Sequence, residues 1–248
     1  MPKILIFDIE TSFNELHLRT FQLLDKQPRM LPFDSITRER NILTSAWKWL
    51  GEKKTDSIAV SRKSPDDDKQ IVKKMLSLFE EADAVVAHYG DKFDMKYILT
   101  RAVYHNLPPP PPVKQIDTYK IAKSKFLFNC NRLDYLGKFL GLGRKIKTNQ
   151  KLWDDCMDGK QKAINDMATY NRQDVDLLEK VYKRLCPFVP PKVNAAIING
   201  NYCCPGCGSK SVQARGFGVN RTTRYQKYQC RSCGLWSSSP VNKPKKIR

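Results

Sequence analysis

The sequence begins with an apolar run into which two carboxylates are set. Residues 3–12 read KILIFDIETS, and their β-branched and bulky side chains indicate a buried central strand. Side chains alternate between the two faces of a strand, so Asp8 and Glu10 point the same way. Two like charges on a buried face repel each other and are costly to desolvate, and a bound divalent cation relieves both problems. The alternative is that the strand ends at Asp8 and that both acids are solvated.

The chain is strongly basic, with 44 Lys and Arg against 25 Asp and Glu, which gives a formal net charge of +19. Much of this excess lies near the C-terminus, where residues 201–248 contain ten basic residues and no acidic residue. Such a charge is typical of proteins with a polyanionic partner, and it predicts contact with nucleic acid. A solvated basic surface that serves solubility is the alternative.

The lack of a recognisable signal peptide or membrane span, together with the cysteine usage, predicts a cytoplasmic protein without membrane contact. No apolar run approaches the roughly 20 residues of a membrane span, and the early acids interrupt the pattern of a signal peptide. Eight cysteines are present, and five of them cluster between positions 203 and 233. Clustered pairs without a secretion signal favour metal binding over disulfides.

Hydrophobic periodicity predicts alternating strands and helices, with an antiparallel start to a sheet followed by a short strand of the buried parallel type. Further strands are expected at residues 42–50, 56–60, 84–87 and 113–117. Residues 13–40 give no clear assignment. A helix is expected from Pro65, with Ser64 as its cap and Asp66 to Asp68 in its first turn. Further helices are expected from about Phe93, over 118–126, over 131–140 and over about 160–185.

Two more acidic positions occur where functional groups are commonly delivered. Asp94 follows a short apolar strand at a strand-to-helix junction, and parallel strands present functional groups at their C-terminal ends. Its alternative role is a helix-start acid that complements the helix dipole. Tyr170 and Asp174 are four residues apart on the long predicted helix, so they share a face that continues with the apolar Leu177 and Val181. A polar pair at the head of an apolar stripe indicates a helix that packs on the sheet and opens into a site.

In this order the motifs resemble those of the DEDD superfamily of 3′–5′ exonucleases. The resemblance covers about residues 1–185. Within this segment the sequence resembles the proofreading domains of family-B DNA polymerases and, more closely, stand-alone phage and bacterial relatives. The resemblance implies an RNase H-like fold, which is an α/β fold with a mixed sheet flanked by helices, and a bacterial or phage-infected host cell. Tyr170 indicates the tyrosine branch of the superfamily. The chain departs from the pattern at Tyr89, where relatives commonly carry an Asn that helps to position substrate.

The resemblance also implies a role for each acid. Asp8 would bridge two Mg²⁺ or Mn²⁺ ions, and Glu10 and Asp174 would complete the ion that holds the attacking water. Asp94 would serve the other ion through water. Tyr170 would orient the attacking water rather than deprotonate it, because an unperturbed tyrosine has a pKa of about 10.

Two cysteine pairs near the C-terminus have the spacing of a tetrahedral zinc site. Cys204 and Cys207 form one knuckle, and Cys230 and Cys233 form the other. Cys203 could replace Cys204 as a ligand only by altering this spacing. The arrangement resembles a zinc ribbon with one structural Zn²⁺. Basic and aromatic residues between the pairs can grip phosphates and stack on bases, namely Arg215, Arg221, Arg224, Tyr225, Lys227 and Tyr228. The alternative is that zinc stabilises a surface that contacts another protein rather than nucleic acid.

The sequence therefore predicts an RNase H-like exonuclease domain over residues 1–190, a zinc ribbon over 191–239 and a basic tail over 240–248. The expected function is metal-dependent 3′–5′ exonuclease activity on single strands or 3′ ends, with DNA favoured. A catalytically inactive nucleic-acid-binding module and a structure-selective endonuclease are the alternatives.

Overall fold

A five-stranded mixed sheet organises the larger part of the computed structural model, which describes residues 2–19, 31–199 and 203–240. The central strand β1 pairs antiparallel with β4 and parallel with β6, and the order in the sheet is β5-β4-β1-β6-β7. A small antiparallel sheet of the two strands β2 and β3 follows β1. The strands are β1 (Ile4–Thr11), β2 (Glu15–Leu16), β3 (Ile36–Arg38), β4 (Ile42–Trp49), β5 (Asp56–Ala59), β6 (Ala84–Ala87) and β7 (Lys114–Asp117).

Helices cover both faces of the sheet, and none of those in the described ranges is long and apolar enough to cross a membrane. The helices are α1 (Lys69–Glu81), α2 (Asp94–Tyr104), α3 (Thr118–Lys125), α4 (Leu133–Phe139), α5 (Gln150–Met157), α6 (Gln161–Leu185) and α7 (Ala195–Asn199). The predicted mixed sheet with flanking helices is confirmed.

Strand β1 separates two hydrophobic cores because its side chains alternate. Leu5, Phe7 and Ile9 belong to one core, whereas Ile4 and Ile6 belong to the other. Helix α6 contributes to both cores, with its first half on one and its second half on the other. The alternation sets Asp8 and Glu10 on the Ile4 and Ile6 face, beyond the apolar part of the strand, where α6 crosses.

The start of α1 differs from the sequence prediction. We expected a helix from Pro65 with Ser64 as its cap, but α1 begins at Lys69, and residues 61–67 form turns. The reason is Asp68, whose carboxylate lies in the core and binds Arg101 Nε at 2.7 Å and the backbone N–H of Ile42 at 2.9 Å. This buried ion pair fixes the segment before α1, so its acids do not form a first helical turn.

The C-terminal unit, which we define as residues 203–240, is a three-stranded antiparallel sheet with order β10-β9-β8. Its strands are β8 (Val212–Val219), β9 (Arg224–Cys230) and β10 (Trp236–Pro240). The buried core of this unit consists of Cys204, Cys230 and Leu235 alone among the described residues. The unit lies against the end of α6, where Tyr182, Cys233 and other residues line a cavity of about 460 Å³. Residues 241–248 of the predicted basic tail lie outside the described residues.

Candidate active site

Three carboxylates from distant parts of the chain meet beside the central strand. Asp8 and Glu10 come from the end of β1, and Asp174 comes from α6. One oxygen atom from each carboxylate lies within 4.8 Å of the others. A strand and a crossing helix thus bring together three of the four acids that the sequence predicts as metal ligands.

The fourth acid, Asp94, lies at the first turn of α2 and is 3% exposed. Its Oδ1 atom accepts a hydrogen bond of 3.2 Å from the backbone N–H of Ile9, the residue between Asp8 and Glu10. Asp94 is therefore attached to the acidic end of β1 but is not a member of the three-carboxylate cluster. This position separates Asp94 from the three-carboxylate cluster.

Two polar residues that the sequence analysis did not assign to the site contact the cluster. Asn171 is fully buried, and its Nδ2 donates a hydrogen bond of 2.8 Å to Asp8 Oδ2. Lys145, in the loop before α5, places its Nζ 2.7 Å from Asp174 Oδ2 and 3.4 Å from the Tyr170 hydroxyl oxygen. Asn171 orients Asp8, and the Lys145 ammonium compensates part of the buried negative charge.

The acids are held in an environment that favours their neutral forms. Burial, followed by the charges of Asp94 and Glu10, raises the pKa of Asp8 well above its usual range. Burial raises the pKa of Glu10 to about 8, although the Lys145 ammonium opposes the shift. Burial also raises the pKa of Asp94 to about 7, against the hydrogen bonds that it accepts from backbone N–H groups. Neighbouring acids with raised pKa values are a frequent feature of functional sites.

The donor set fits a divalent cation of the Mg²⁺ or Mn²⁺ type. Hard cations take carboxylate oxygens, and the cluster offers three carboxylates within one coordination sphere. Among the described residues, the buried Asp174 Oδ1 has no hydrogen-bond partner. A buried oxygen in this state is costly unless something binds it, and a cation is the partner that the neighbouring carboxylates also require.

The raised pKa values predict how the stability of the metal-free protein depends on pH. Acids whose pKa is higher in the folded protein bind more protons there, so the free energy of unfolding falls as pH rises. We expect the Tm of the metal-free protein to fall between about pH 5 and pH 8, the window that ends near the pKa of Glu10.

Saturating Mg²⁺ should flatten this decline, because the cation stabilises the ionised carboxylates. Thermal unfolding with and without Mg²⁺ at several pH values measures the effect. Equal pH slopes in the two series would contradict the assignment of these acids to a cation site.

Tyr170 lies at the edge of the cluster with its ring largely buried. Burial raises the pKa of its hydroxyl above the usual range, although the Lys145 ammonium opposes the shift, so the hydroxyl remains protonated at neutral pH. The ring packs edge-on against Trp153 of α5, a helix that the sequence analysis did not predict. The hydroxyl is thus a fixed hydrogen-bonding group beside Asp174.

His88 and Tyr89, which lie between β6 and Asp94, have different environments. His88 Nδ1 lies 2.9 Å from Thr118 Oγ1, and burial lowers the pKa of the imidazole to about 4, so His88 is neutral. Tyr89 is 46% exposed and has a φ of 68°, a backbone region in which Asn is more common than Tyr. Its backbone N–H donates a hydrogen bond of 3.0 Å to Asp117 Oδ1, which holds this conformation.

The four predicted cysteine ligands come together in the C-terminal unit. The Sγ atoms of Cys204 and Cys233 are 3.6 Å apart, and those of Cys207 and Cys230 are 3.7 Å apart. All four lie within 4.8 Å of one another, so the cluster can hold a tetrahedral metal ion such as zinc. The C-terminal cysteine cluster is compatible with a zinc ribbon.

The predicted nucleic-acid-binding residues occupy both faces of the β8–β9 hairpin and its turn. Along β9, Tyr225 and Lys227 share one face, and Arg224 and Tyr228 share the other. The guanidinium of Arg224 lies 4.0 Å from the ring centroid of Phe217. Arg215 donates from Nε to Gln229 Oε1 at 3.2 Å, and Arg221 is exposed in the turn between the strands.

Comparison with known proteins gives one family. The family model described as RNase_H superfamily matches residues 35–186, more than half of the chain. The matched segment contains Asp94, Lys145 and Asp174, whereas β1 precedes it. RNase H-like domains act on nucleic acids as nuclease-type hydrolases and usually bind divalent metal ions. The comparison with curated proteins gives no match. With its mixed five-stranded sheet and matched segment, the chain belongs to the RNase_H superfamily.

Proposed function

We propose that the protein is a metal-dependent 3′–5′ exonuclease of the tyrosine branch of the DEDD superfamily. The observation that carries the proposal is the convergence of Asp8, Glu10 and Asp174. Asp94 lies beside them and accepts a hydrogen bond from the backbone N–H of Ile9 in β1. The proposed substrate is nucleic acid with a single-stranded 3′ end, with DNA favoured over RNA. The proposed products are nucleoside monophosphates, which a phosphodiester hydrolase releases one at a time from an end.

The carboxylates have separate roles in this proposal. Asp8, Glu10 and Asp174 would hold one cation, and Asp8 would share in holding a second that Asp94 serves through water. Two bound Mg²⁺ or Mn²⁺ ions stabilise both the attacking and the leaving oxygen of a phosphodiester. Asn171 fixes Asp8 through the hydrogen bond to Oδ2, and the backbone N–H of Ile9 fixes Asp94. These two hydrogen bonds orient the ligands before substrate binds.

Tyr170 has a positioning role in this proposal because it keeps its proton and lies beside Asp174. We expect Tyr170→Phe to lower kcat by about 10- to 1,000-fold with little change in Mg²⁺ affinity, as loss of one positioning contact commonly does. Asp174→Asn should lower kcat further and also weaken Mg²⁺ binding, because it removes a ligand. Rates over a Mg²⁺ titration measure both quantities.

Folding of both variants is checked by thermal unfolding, since the Phe ring can retain the packing on Trp153. A Tyr170→Phe enzyme as fast as the wild type would reduce Tyr170 to a packing residue and remove the support for the tyrosine branch.

We also propose that the C-terminal unit is a zinc ribbon with one structural Zn²⁺ that helps to hold nucleic acid. The support is the four-thiolate cluster together with the absence of acidic residues from positions 201–248. In this assignment residues 1–190 form the nuclease domain, 191–239 the ribbon and 240–248 a basic tail. Arg215, Arg221, Arg224, Tyr225, Lys227 and Tyr228 are the proposed nucleic-acid contacts.

The proposal is tested by incubating labelled single-stranded and duplex DNA and RNA with the protein and Mg²⁺. We expect Mg²⁺-dependent release of nucleoside monophosphates, fastest from single-stranded DNA. Binding without hydrolysis of any substrate would favour the inactive nucleic-acid-binding module. The intact set of buried acids argues against that alternative, because a binding module has no need for a costly carboxylate cluster.

A further inference from the structure

A groove of about 690 Å³ lies between the C-terminal half of α6 and the C-terminal unit. One wall comes from α6 and the short 3₁₀ helix Cys186–Phe188, and the other comes from β9, β10 and the turn between them. Neither the candidate active site nor the predicted nucleic-acid contacts include the charged and aromatic residues of this groove, which are Lys180, Lys183, Arg184, Phe188 and Trp236.

The groove is cationic. Among the described residues that line it, Lys180, Lys183 and Arg184 are basic and none is acidic. Lys183 pairs with Glu179 at 2.5 Å, but that carboxylate is nearly buried and also binds Lys48, so it does not line the groove. Basic side chains along a groove attract a polyanion, because each neutralised phosphate releases counterions.

Two large aromatic side chains are exposed in the same groove. Phe188 is 69% exposed and Trp236 is 52% exposed, although both could bury a large apolar area. Exposed aromatic rings beside basic side chains form a stacking surface for unpaired bases. Bases of a duplex are already stacked on each other, so this combination fits a single strand better than a duplex.

The groove and the carboxylate site share two elements of the fold, the loop before α5 and helix α6. Leu142 lines the groove, and three residues further along the same loop Lys145 binds Asp174. Arg184 lies ten residues after Asp174 on α6, so the two positions are about 15 Å apart along the helix axis. At the other end, Trp236 lies opposite Gln229, on the face of β9 that carries Lys227 and Tyr225. The groove thus lies between the helix that carries Asp174 and the C-terminal unit.

We propose that this groove binds the single-stranded segment of the substrate, a few nucleotides away from the bond that is cleaved. Lys180 and Arg184 contact phosphates, and Phe188 and Trp236 stack on bases. The proposal rests on the proposed nuclease function of the carboxylate site and specifies its substrate as a strand longer than the active site alone can hold.

The test compares the double variant Lys180→Gln/Arg184→Gln, Phe188→Ala and Trp236→Ala with the wild type in the full chain. Lys73→Gln is the matched charge control, since Lys73 is exposed on α1, away from the groove lining. Trp236→Phe retains an aromatic face and serves as the conservative variant. Tm and zinc content are measured for each protein so that a folding defect is recognised.

Binding is measured first, with a labelled oligothymidylate of about twelve nucleotides and each change placed in an Asp8→Asn background that prevents cleavage. We expect the dissociation constant to rise about 10-fold for Trp236→Ala and less for Trp236→Phe. The double variant should also have a shallower dependence of affinity on salt, by about 1.4 in the logarithmic slope for two lost phosphate contacts. Affinities and slopes equal to those of the Lys73→Gln control would overturn the proposal and leave the groove to a partner other than nucleic acid.

Hydrolysis is measured second, with the same oligonucleotide and with a dinucleotide that is too short to reach the groove. The wild type should have a higher kcat/KM for the long strand, and the groove variants should lose this advantage through a raised KM. Retention of the full length preference in all groove variants would also overturn the proposal. A wild type that binds the strand but hydrolyses neither substrate would instead refute the nuclease function, and the binding measurements would still decide the role of the groove.

Discussion

Asp8→Asn and Glu10→Gln are each expected to lower the rate of hydrolysis by more than about 100-fold. Outer-shell partners of metal ligands alone commonly contribute about 10- to 100-fold, and these residues are assigned as the ligands themselves. Both substitutions keep the shape of the side chain and remove its charge. Rates of nucleotide release in saturating Mg²⁺ measure the loss.

The stability of the same variants distinguishes a lost ligand from a damaged fold. The wild-type acids are buried with raised pKa values, so the neutral amides should make the metal-free protein at pH 8 as stable as the wild type or more stable. Glu80→Gln is the matched control, because Glu80 is exposed on α1. An inactive Glu10→Gln protein that unfolds at a much lower temperature than the wild type would indicate a structural role for Glu10.

Removal of the proposed zinc ion from the C-terminal unit is expected to unfold that unit while the larger sheet remains folded. Among the described residues of the unit, the buried core consists of Cys204, Cys230 and Leu235, and so small a core does not hold a sheet of three strands together. Binding of structural zinc contributes on the order of 10 kcal/mol to the folding of such small units. Cys230→Ser should therefore lose one zinc ion per chain, expose the unit to proteolysis and weaken nucleic-acid binding.

Cys130→Ser is the matched control for this prediction, because Cys130 lies outside the four-thiolate cluster. Zinc analysis and limited proteolysis report on the unit directly. A Cys230→Ser protein with full zinc content and unchanged protease resistance would contradict the assignment of these cysteines.

The central strand and the acids on it were predictable from the sequence because their signals are local. The apolar run before Asp8 marks a buried strand, and alternation places Asp8 and Glu10 on one face. The spacing of Tyr170 and Asp174 predicts a shared helix face in the same way. The observed cluster of Asp8, Glu10 and Asp174 needs one further fact, the crossing of α6 over β1, and the resemblance to a known family supplied that fact.

The contacts that the sequence did not predict depend on tertiary structure. Lys145 is one basic residue among many in the chain, and only the fold shows that its ammonium lies against Asp174. Asn171 did carry a signal, because a polar residue in the buried stripe of α6 needs a hydrogen-bond partner, and that partner is Asp8. The late start of α1 depends on the burial of Asp68 against Arg101, a pairing between residues that are 33 positions apart.

Digestion of strands with defined ends tests the central claim most directly. The substrates are a linear single strand labelled at its 5′ end, the same strand labelled at its 3′ end, and a circular single strand, each with Mg²⁺. A 3′–5′ exonuclease releases the 3′ label at once as a mononucleotide, shortens the 5′-labelled strand progressively and leaves the circle intact. Cleavage of the circle, or immediate release of the 5′ label as a mononucleotide, would contradict the proposed function.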